Sequence, residues 1–387
     1  MTSVQARLAF PATILLVGIN LRPTIAAIGP LLDGIQRDTG LSDSGASLLT
    51  ALPVALMGIC LLGTGRLQQA IGRHRGVAVG LVFIGLACLA RWVSHGMGTL
   101  LATAILGGVG IAMVQALMPA IIREQAGNRS AGLMGLYSTA IMGGAMVSAA
   151  ASPWIGNLGG WSVALGIWAL PVVAGLSAWL MRGHVSRTGN ASDGFGIYRK
   201  ARAWLLLAFF GFGTGAYTLV LAWLPPFYTQ LGWPATVAGA MLGALTFAEV
   251  IAGIAVSVWI DRFPDRRPAL FLAIAALLAG LACLCLAPLA LAWPAAILAG
   301  LGIGALFPLS LIIAMDHGTN AAEAGAIAGF VQGGGYLLAA LLPLVAGLLR
   351  QELSDLTPAW LLMAGLCVVL AGMARRFRPG DRIALSA

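Results

Sequence analysis

The chain has 387 residues, of which 59% are hydrophobic and 9% charged, with a mean hydropathy of +0.93. That balance leaves too little polar surface to cover a water-soluble fold, so it excludes a soluble enzyme or binding module and points to a polytopic membrane protein. The net charge of +9 is read by where the basic residues fall relative to the spans, and is not taken as a nucleic-acid footprint.

Breaking the sequence at charged, polar and Gly/Pro-rich clusters predicts twelve helical spans, at 8–32, 44–65, 76–94, 99–122, 130–152, 161–182, 203–228, 236–260, 268–288, 293–315, 323–348 and 358–376. Their lengths, without period-two alternation, favour helices over barrel strands. The first run is too long for a signal peptide and is interrupted by Arg22, so it is expected to stay in the mature protein. Within it lies Asn20-Leu21-Arg22-Pro23. An arginine at mid-membrane costs roughly 2.5–3.5 kcal/mol on insertion scales, so it must face protein or a watery cavity and find a partner there. Arg22 is read as an anion-binding centre, with a structural arginine paired to carbonyls or a neighbouring helix as the alternative.

Of the 22 basic residues, Arg22 lies in the membrane and Arg37, Arg91 and Arg350 fall on one side. The rest fall on the other, which predicts that both termini are cytoplasmic in a bacterial-type inner membrane. Cys60, Cys88, Cys283, Cys285 and Cys367 all sit in apolar runs, and the histidines are scattered. No disulfide framework, metal site or cofactor is therefore expected.

The second half repeats the first. Gly65–Arg75 and Ser257–Arg267 both follow the second span of their half, and the shift that aligns Gln69 with Asp261 also aligns Gly108–Ile111 with Gly300–Ile303. Parallel six-span repeats with a site between them are a common transporter plan. The expected fold is all-α, with twelve transmembrane helices in two pseudo-symmetric six-helix halves, 1–182 and 203–387, joined by a cytoplasmic linker at 183–202.

The two loops resemble the major facilitator superfamily signature G-x-L-x-D-R-x-G-R-R. Gly65, Leu67, Gly72, Arg73 and Arg75 fit in the first copy, where Gln69 replaces the acidic residue. Asp261, Arg262, Arg266 and Arg267 fit in the second. More narrowly, GINLRPTIAAIGPLL (Gly18–Leu32), LLTALPVALMG (Leu48–Gly58), LGGVGIAMVQALMP (Leu106–Pro119), AWLPPFY (Ala222–Tyr228), GALFPLSLIIAMDH (Gly304–His317) and FVQGGGY (Phe330–Tyr336) resemble the cyanate permease branch, which also contains nitroimidazole exporters. The resemblance implies alternating-access transport. It also implies a cavity lined by Asn20, Arg22, Pro23 and Gln115, and gating through Gly65, Gly72, Arg73, Arg75, Asp261, Arg262 and Arg266. Glu249 departs from the branch, in which an uncharged polar residue is usual.

A small anion needs one deep positive group, neutral donors and a wall that excludes water. Arg22 supplies the charge, and the absence of a second buried cation is taken to argue against phosphates and dicarboxylates. Gln115, Tyr137, Tyr217, Gln332 and Tyr336 are the mid-span polar candidates, each open to a purely helix-bridging role. Glu249 and Arg22 lie about 12 residues from the basic ends of their spans, about 18 Å deep at 1.5 Å per residue. Glu249 is read either as the group carrying a coupled proton or as a helix-packing glutamate. Trp223 is expected to be an interfacial anchor. Pro119, Pro225, Pro226 and Pro308 are expected to bend or to end their helices.

The predicted function is secondary active transport of a small monoanion, cyanate-like or another small organic anion. Export of neutral or nitroaromatic molecules, with proton coupling, is the alternative. No nucleophile elbow, His/Glu metal motif or phosphate loop supports an enzyme or a primary pump.

Overall fold

The computed structural model describes residues 3–93, 96–126, 130–182, 196–319 and 321–383. Most of the expected linker, 183–195, lies outside the described residues, as does the side chain of Asp261. All regular structure among the described residues is helical.

The first apolar run is not one helix. It forms α1 (Ser3–Gly18), breaks, restarts as α2 (Pro23–Ala26) and a 3-10 turn (Gly29–Leu31), and ends in α3 (Leu32–Thr39). Then come α4 (Asp43–Leu62), α5 (Thr64–Ile71), α6 (Arg73–Trp92), α7 (Met97–Ala126), α8 (Ser130–Gly166) and α9 (Ala169–Leu180). The second half continues with α10 (Ala201–Gln230), α11 (Ala235–Trp259), α12 (Arg267–Leu286), α13 (Ala292–Asp316), α14 (Ala321–Ala339), α15 (Leu341–Leu353) and α16 (Thr357–Ala374).

Eleven segments of the described residues are long and apolar enough to cross a membrane. One of them, Gly132–Leu180, has 49 residues, far more than the roughly 20 that span a bilayer core of about 30 Å. It is divided at Gly160, whose φ of 82° and ψ of 168° break the helix at a conformation that only glycine adopts without strain. Counted as two passes, it is consistent with the expected twelve. Pro119, Pro225, Pro226 and Pro308 all lie inside helices, so none of them ends its span.

The outer surface is apolar, with Leu158 91% and Leu286 83% exposed. This suits a lipid environment and would be an aggregation hazard in water. Inside, α7 packs on α4 and α6, and α1 on α8 and α9; α13 packs on α11 and α12, and α10 on α14. The first and second groups meet where α8 packs on α11 and where α4 packs on α14 and α15.

Candidate functional site

The break in the first span follows from Pro23, which has no N–H and forces the preceding residue away from ideal helix. Asn20 N and Leu21 N turn back to Val17 O and Gly18 O at 3.3 and 3.1 Å, a tighter pattern than the α-helix. This tightening strands Leu16 O, and a second one, in which Ile28 N turns to Ile25 O at 3.2 Å, strands Thr24 O; each carbonyl must find a donor in an interior without water. Leu16 O receives the side chain of Asn20, Nδ2 at 2.6 Å, and that amide also donates to Pro171 O at 3.0 Å. Thr24 O receives Arg91, whose Nη1 donates at 2.6 Å while Nε donates to Thr103 Oγ1 at 3.1 Å. Gly144 lets the broken segment in, because a Cβ there would come within 2.1 Å of Ile19 O.

These contacts revise three expectations. Asn20 does not line the cavity; its amide holds the break together from behind. Arg91 is not a loop residue but a second buried cation, 1% exposed. It is spent on Thr24 and Thr103 and does not reach the cavity. Trp223 is fully buried rather than interfacial, with Nε1 donating to Pro343 O at 3.0 Å.

With its neighbours fixed, Arg22 points into a cavity of about 2260 Å³ that opens at the face carrying Arg66, Arg73, Arg75 and Arg123. Gln115, Tyr137, Tyr217, Glu249, Gln332 and Tyr336 line it as well. The structure therefore brings together Arg22, Glu249 and all five neutral polar candidates, from α7, α8, α10, α11 and α14. The Arg22 guanidinium lies over the Tyr217 ring at 5.2 Å. It is close enough to Glu249, Tyr137 and Tyr336 to act on each electrostatically. Nevertheless, neither Arg22 nor Glu249 has an ion-pair partner within 4.0 Å among the described residues.

The deep end is unusual in how much of its polar chemistry is unspent. Arg22 Nε, Gln115 Oε1, the hydroxyls of Tyr137, Thr214 and Tyr217, and both carboxylate oxygens of Glu249 are buried without a hydrogen-bond partner. Leaving such a group unsatisfied costs about 1–3 kcal/mol, so a convergent set of them in one cavity makes this the candidate binding site. The position of Glu249 is fixed by α13: a Cβ on Gly304 would lie 2.4 Å from Glu249 Cα.

Phe307 also lines the cavity, and it packs with Phe210, which in turn meets Tyr336 edge-on. Sequence reasoning missed it because one phenylalanine in an apolar helix carries no signal. The adjacent Pro308, which also lines the cavity, was the only pointer.

At the mouth, Arg73 pairs with Glu124 at 2.9 Å and Gly72 and Arg75 line the opening. Arg266 holds the turn after α11 by donating to the Ile260 and Phe263 carbonyls, while Arg262 is exposed and outside the cavity. At the opposite face the two groups of helices are closed on each other. Arg350 of α15 reaches Asp43 of α4 at 3.5 Å and Asp33 of α3 at 4.0 Å, and lies over the Trp223 ring at 5.2 Å.

The sequence pattern of the Major Facilitator Superfamily matches residues 14–343. The chain belongs to that superfamily. It is 37% identical over 371 residues to the cyanate transport protein CynX of Escherichia coli K12, covering 95% of this chain and 96% of that one. It is 30% identical over 353 residues to the 2-nitroimidazole transporter of the same organism, covering 89% of each. A crystal structure of a D-xylose-proton symporter superposes with a TM-score of 0.77 over 97% of this chain and 98% of the other, at 17% identity. A bacterial homologue of the human lysosomal transporter Spinster, solved in an inward-facing and occupied conformation, also gives 0.77, with full coverage of both chains and 15% identity. This superfamily member is thus a multi-pass secondary transporter and not an enzyme.

Proposed function

We propose that this transporter moves a small monoanion, cyanate or an anion of similar size, by alternating access, with Arg22 as the anion-binding centre. The single observation that carries the reading is the Arg22 guanidinium, 4% exposed, with Nε unpartnered at the deep end of the cavity. A planar fork of donors suits a linear or carboxylate-like anion better than an ammonium would. Gln115 and the tyrosine hydroxyls replace part of the hydration the anion gives up. The 37% identity to the cyanate transport protein supports the same substrate class. Arg91 does not enter the cavity, so one deep cation faces the ligand, in keeping with a single negative charge.

In this reading residues 1–182 and 203–387 are the two moving halves, 183–202 tether them, and Gly65, Gly72, Arg73, Arg75, Asp261, Arg262 and Arg266 form the two gating loops. Both termini face the cytoplasm of a bacterial-type inner membrane. The basic face carries the cavity mouth, so the conformation is inward-facing. Glu249 carries a coupled proton, which lets the anion enter beside a carboxyl group without repulsion.

A second reading is export of nitroaromatic molecules. It is favoured by the Tyr217 ring beneath Arg22 and the Phe307 and Tyr336 wall, which suit a flat ring whose nitro group accepts from the guanidinium. Uptake of labelled cyanate into proteoliposomes, with and without a proton gradient, tests the first reading. Saturable, gradient-stimulated uptake that is lost in Arg22→Ala is expected. Loss of the gradient's effect, with residual uptake, is expected in Glu249→Gln. Uptake in Arg22→Ala equal to that of the parent removes the anion-centre role.

A further inference from the structure

Arg22 offers donors, whereas an ionised Glu249 offers only acceptors. The two face one cavity, and Tyr217 adjoins both, stacked against Arg22 and within electrostatic reach of Glu249. Glu249 is 4% exposed with both oxygens unpartnered, and Gly304 packs directly against its backbone, which fixes where α11 presents this side chain to the cavity. A ligand that only accepts satisfies Arg22 and sets its own lone pairs against those of the carboxylate. The complementary ligand presents an acceptor to one residue and a donor to the other.

We propose that the deep site reads a small, flat, conjugated weak acid as a donor–acceptor pair. An oxygen of the ligand accepts from Arg22, and an N–H of the ligand donates to Glu249. The acceptor half rests on the role proposed above for Arg22; the donor half rests on Glu249 alone. A ligand arriving as its conjugate base meets a protonated Glu249, and the same line of atoms forms with the proton on the carboxyl oxygen and the lone pair on the ligand nitrogen. No covalent bond other than that to the shared proton changes. In both cases the occupied site carries no net charge, because the guanidinium balances whichever partner is anionic. One constellation then accommodates an anion with both oxygen and nitrogen termini, such as cyanate, taken up with a proton, and a neutral nitroazole, since both bring an oxygen acceptor and a nitrogen that shares a proton.

The test uses two probes of nearly equal shape, 2-nitropyrrole and 2-nitrofuran, which differ by an N–H in place of a ring oxygen. Each is titrated into the purified full-length transporter in detergent, for the parent and for Glu249→Gln and Arg22→Gln. In the parent, titrated at a pH alkaline enough to leave Glu249 ionised, 2-nitropyrrole is expected to bind at least tenfold more tightly, because the furan oxygen faces a carboxylate that has no proton to donate to it. In Glu249→Gln the preference is expected to fall below threefold, since an amide can turn its NH2 toward the furan oxygen. Equal binding of the two probes to the parent, no saturable binding of either, or a preference unchanged by Glu249→Gln overturns the proposal. If Arg22→Gln weakens both probes but the parent shows no N–H preference, the anion centre stands and this inference fails. If the N–H preference holds and Arg22→Gln weakens neither probe, the acceptor half fails, and the proposed function fails with it.

Discussion

Arg91 Nη1 donates at 2.6 Å to the carbonyl of Thr24, two residues beyond Arg22. The residue proposed to bind the ligand and the residue that braces its segment are thus both arginines, one lining the cavity and one facing the protein. The brace is needed because Ile28 N turns to Ile25 O at 3.2 Å and leaves Thr24 O without its helical partner.

Arg91→Met is expected to strand that carbonyl and lower thermal stability in detergent by about 1–3 kcal/mol. Weaker ligand binding is expected alongside, because the segment bearing Arg22 loses its support. Arg91→Lys keeps one donor and is expected to fall between the two. Melting curves with and without ligand check both effects.

Gly304→Ala places a Cβ 2.4 Å from Glu249 Cα, so α11 and α13 must move apart. Overpacking of this kind costs about 1–3 kcal/mol, and the displaced carboxyl group is expected to abolish proton-stimulated uptake. Gly365→Ala, where a Cβ meets nothing within 4 Å, is the control and is expected to transport normally. Uptake by the two variants in proteoliposomes gives the comparison.

At the closed face, Arg350 links α15 to Asp43 and Asp33 and covers Trp223. Its side chain is 15% exposed, so the pair is worth about 1 kcal/mol, enough to shift a two-state population roughly fivefold. Arg350→Ala is expected to favour opening at that face. In a cysteine-free background, Ser47→Cys, at a position fully buried beside α15, is expected to react faster with a membrane-impermeant thiol reagent when Arg350 is also replaced.

Beyond the end of α13, His317 accepts from Arg202 Nε at 3.1 Å on Nε2, while Nδ1 lies 2.7 Å from Ile313 O. Only the neutral ring with its proton on Nδ1 serves both contacts. Burial holds its pKa below the ordinary value of 6.5 and Arg202 reinforces this, whereas the hydrogen bond to Ile313 and the charges of Asp381 and Asp316 act the other way. Because the unfolded chain takes up the proton first, stability from this cluster is full above the ordinary histidine range and declines as pH falls through 6.5 toward the lower native value. The same cluster anchors the C-terminal segment, where Arg202 also bonds Arg376 O and Asp381 and Ile383 N donates to His317 O. Melting temperatures between pH 7.5 and about 5 are expected to fall more steeply for the parent than for His317→Asn.

The spans were legible because hydropathy over some twenty residues depends on no partner, and most helix ends lie within a few residues of their expected places. Arg22 and Glu249 were legible for the complementary reason, since a charge inside such a run demands explanation. What the sequence hid was pairing. Asn20 and Arg22 look alike as polar residues in one apolar run, and only Pro171, distant in the chain, shows that the first is structural. Arg91 sits where a span-end arginine normally meets headgroups, and the broken helix that claims it is not encoded near it. Trp223 was misread in the same way, because its partner Pro343 and its neighbour Arg350 lie in another helix.

The most direct measurement is the dissociation constant of cyanate for the purified transporter, by titration calorimetry, in the parent, Arg22→Lys and Arg22→Gln. A charged hydrogen bond is worth about 1.5–3 kcal/mol, so binding is expected to weaken at least tenfold in Arg22→Gln and less in Arg22→Lys. A constant for Arg22→Gln within twofold of the parent's contradicts Arg22 as the group that holds the anion.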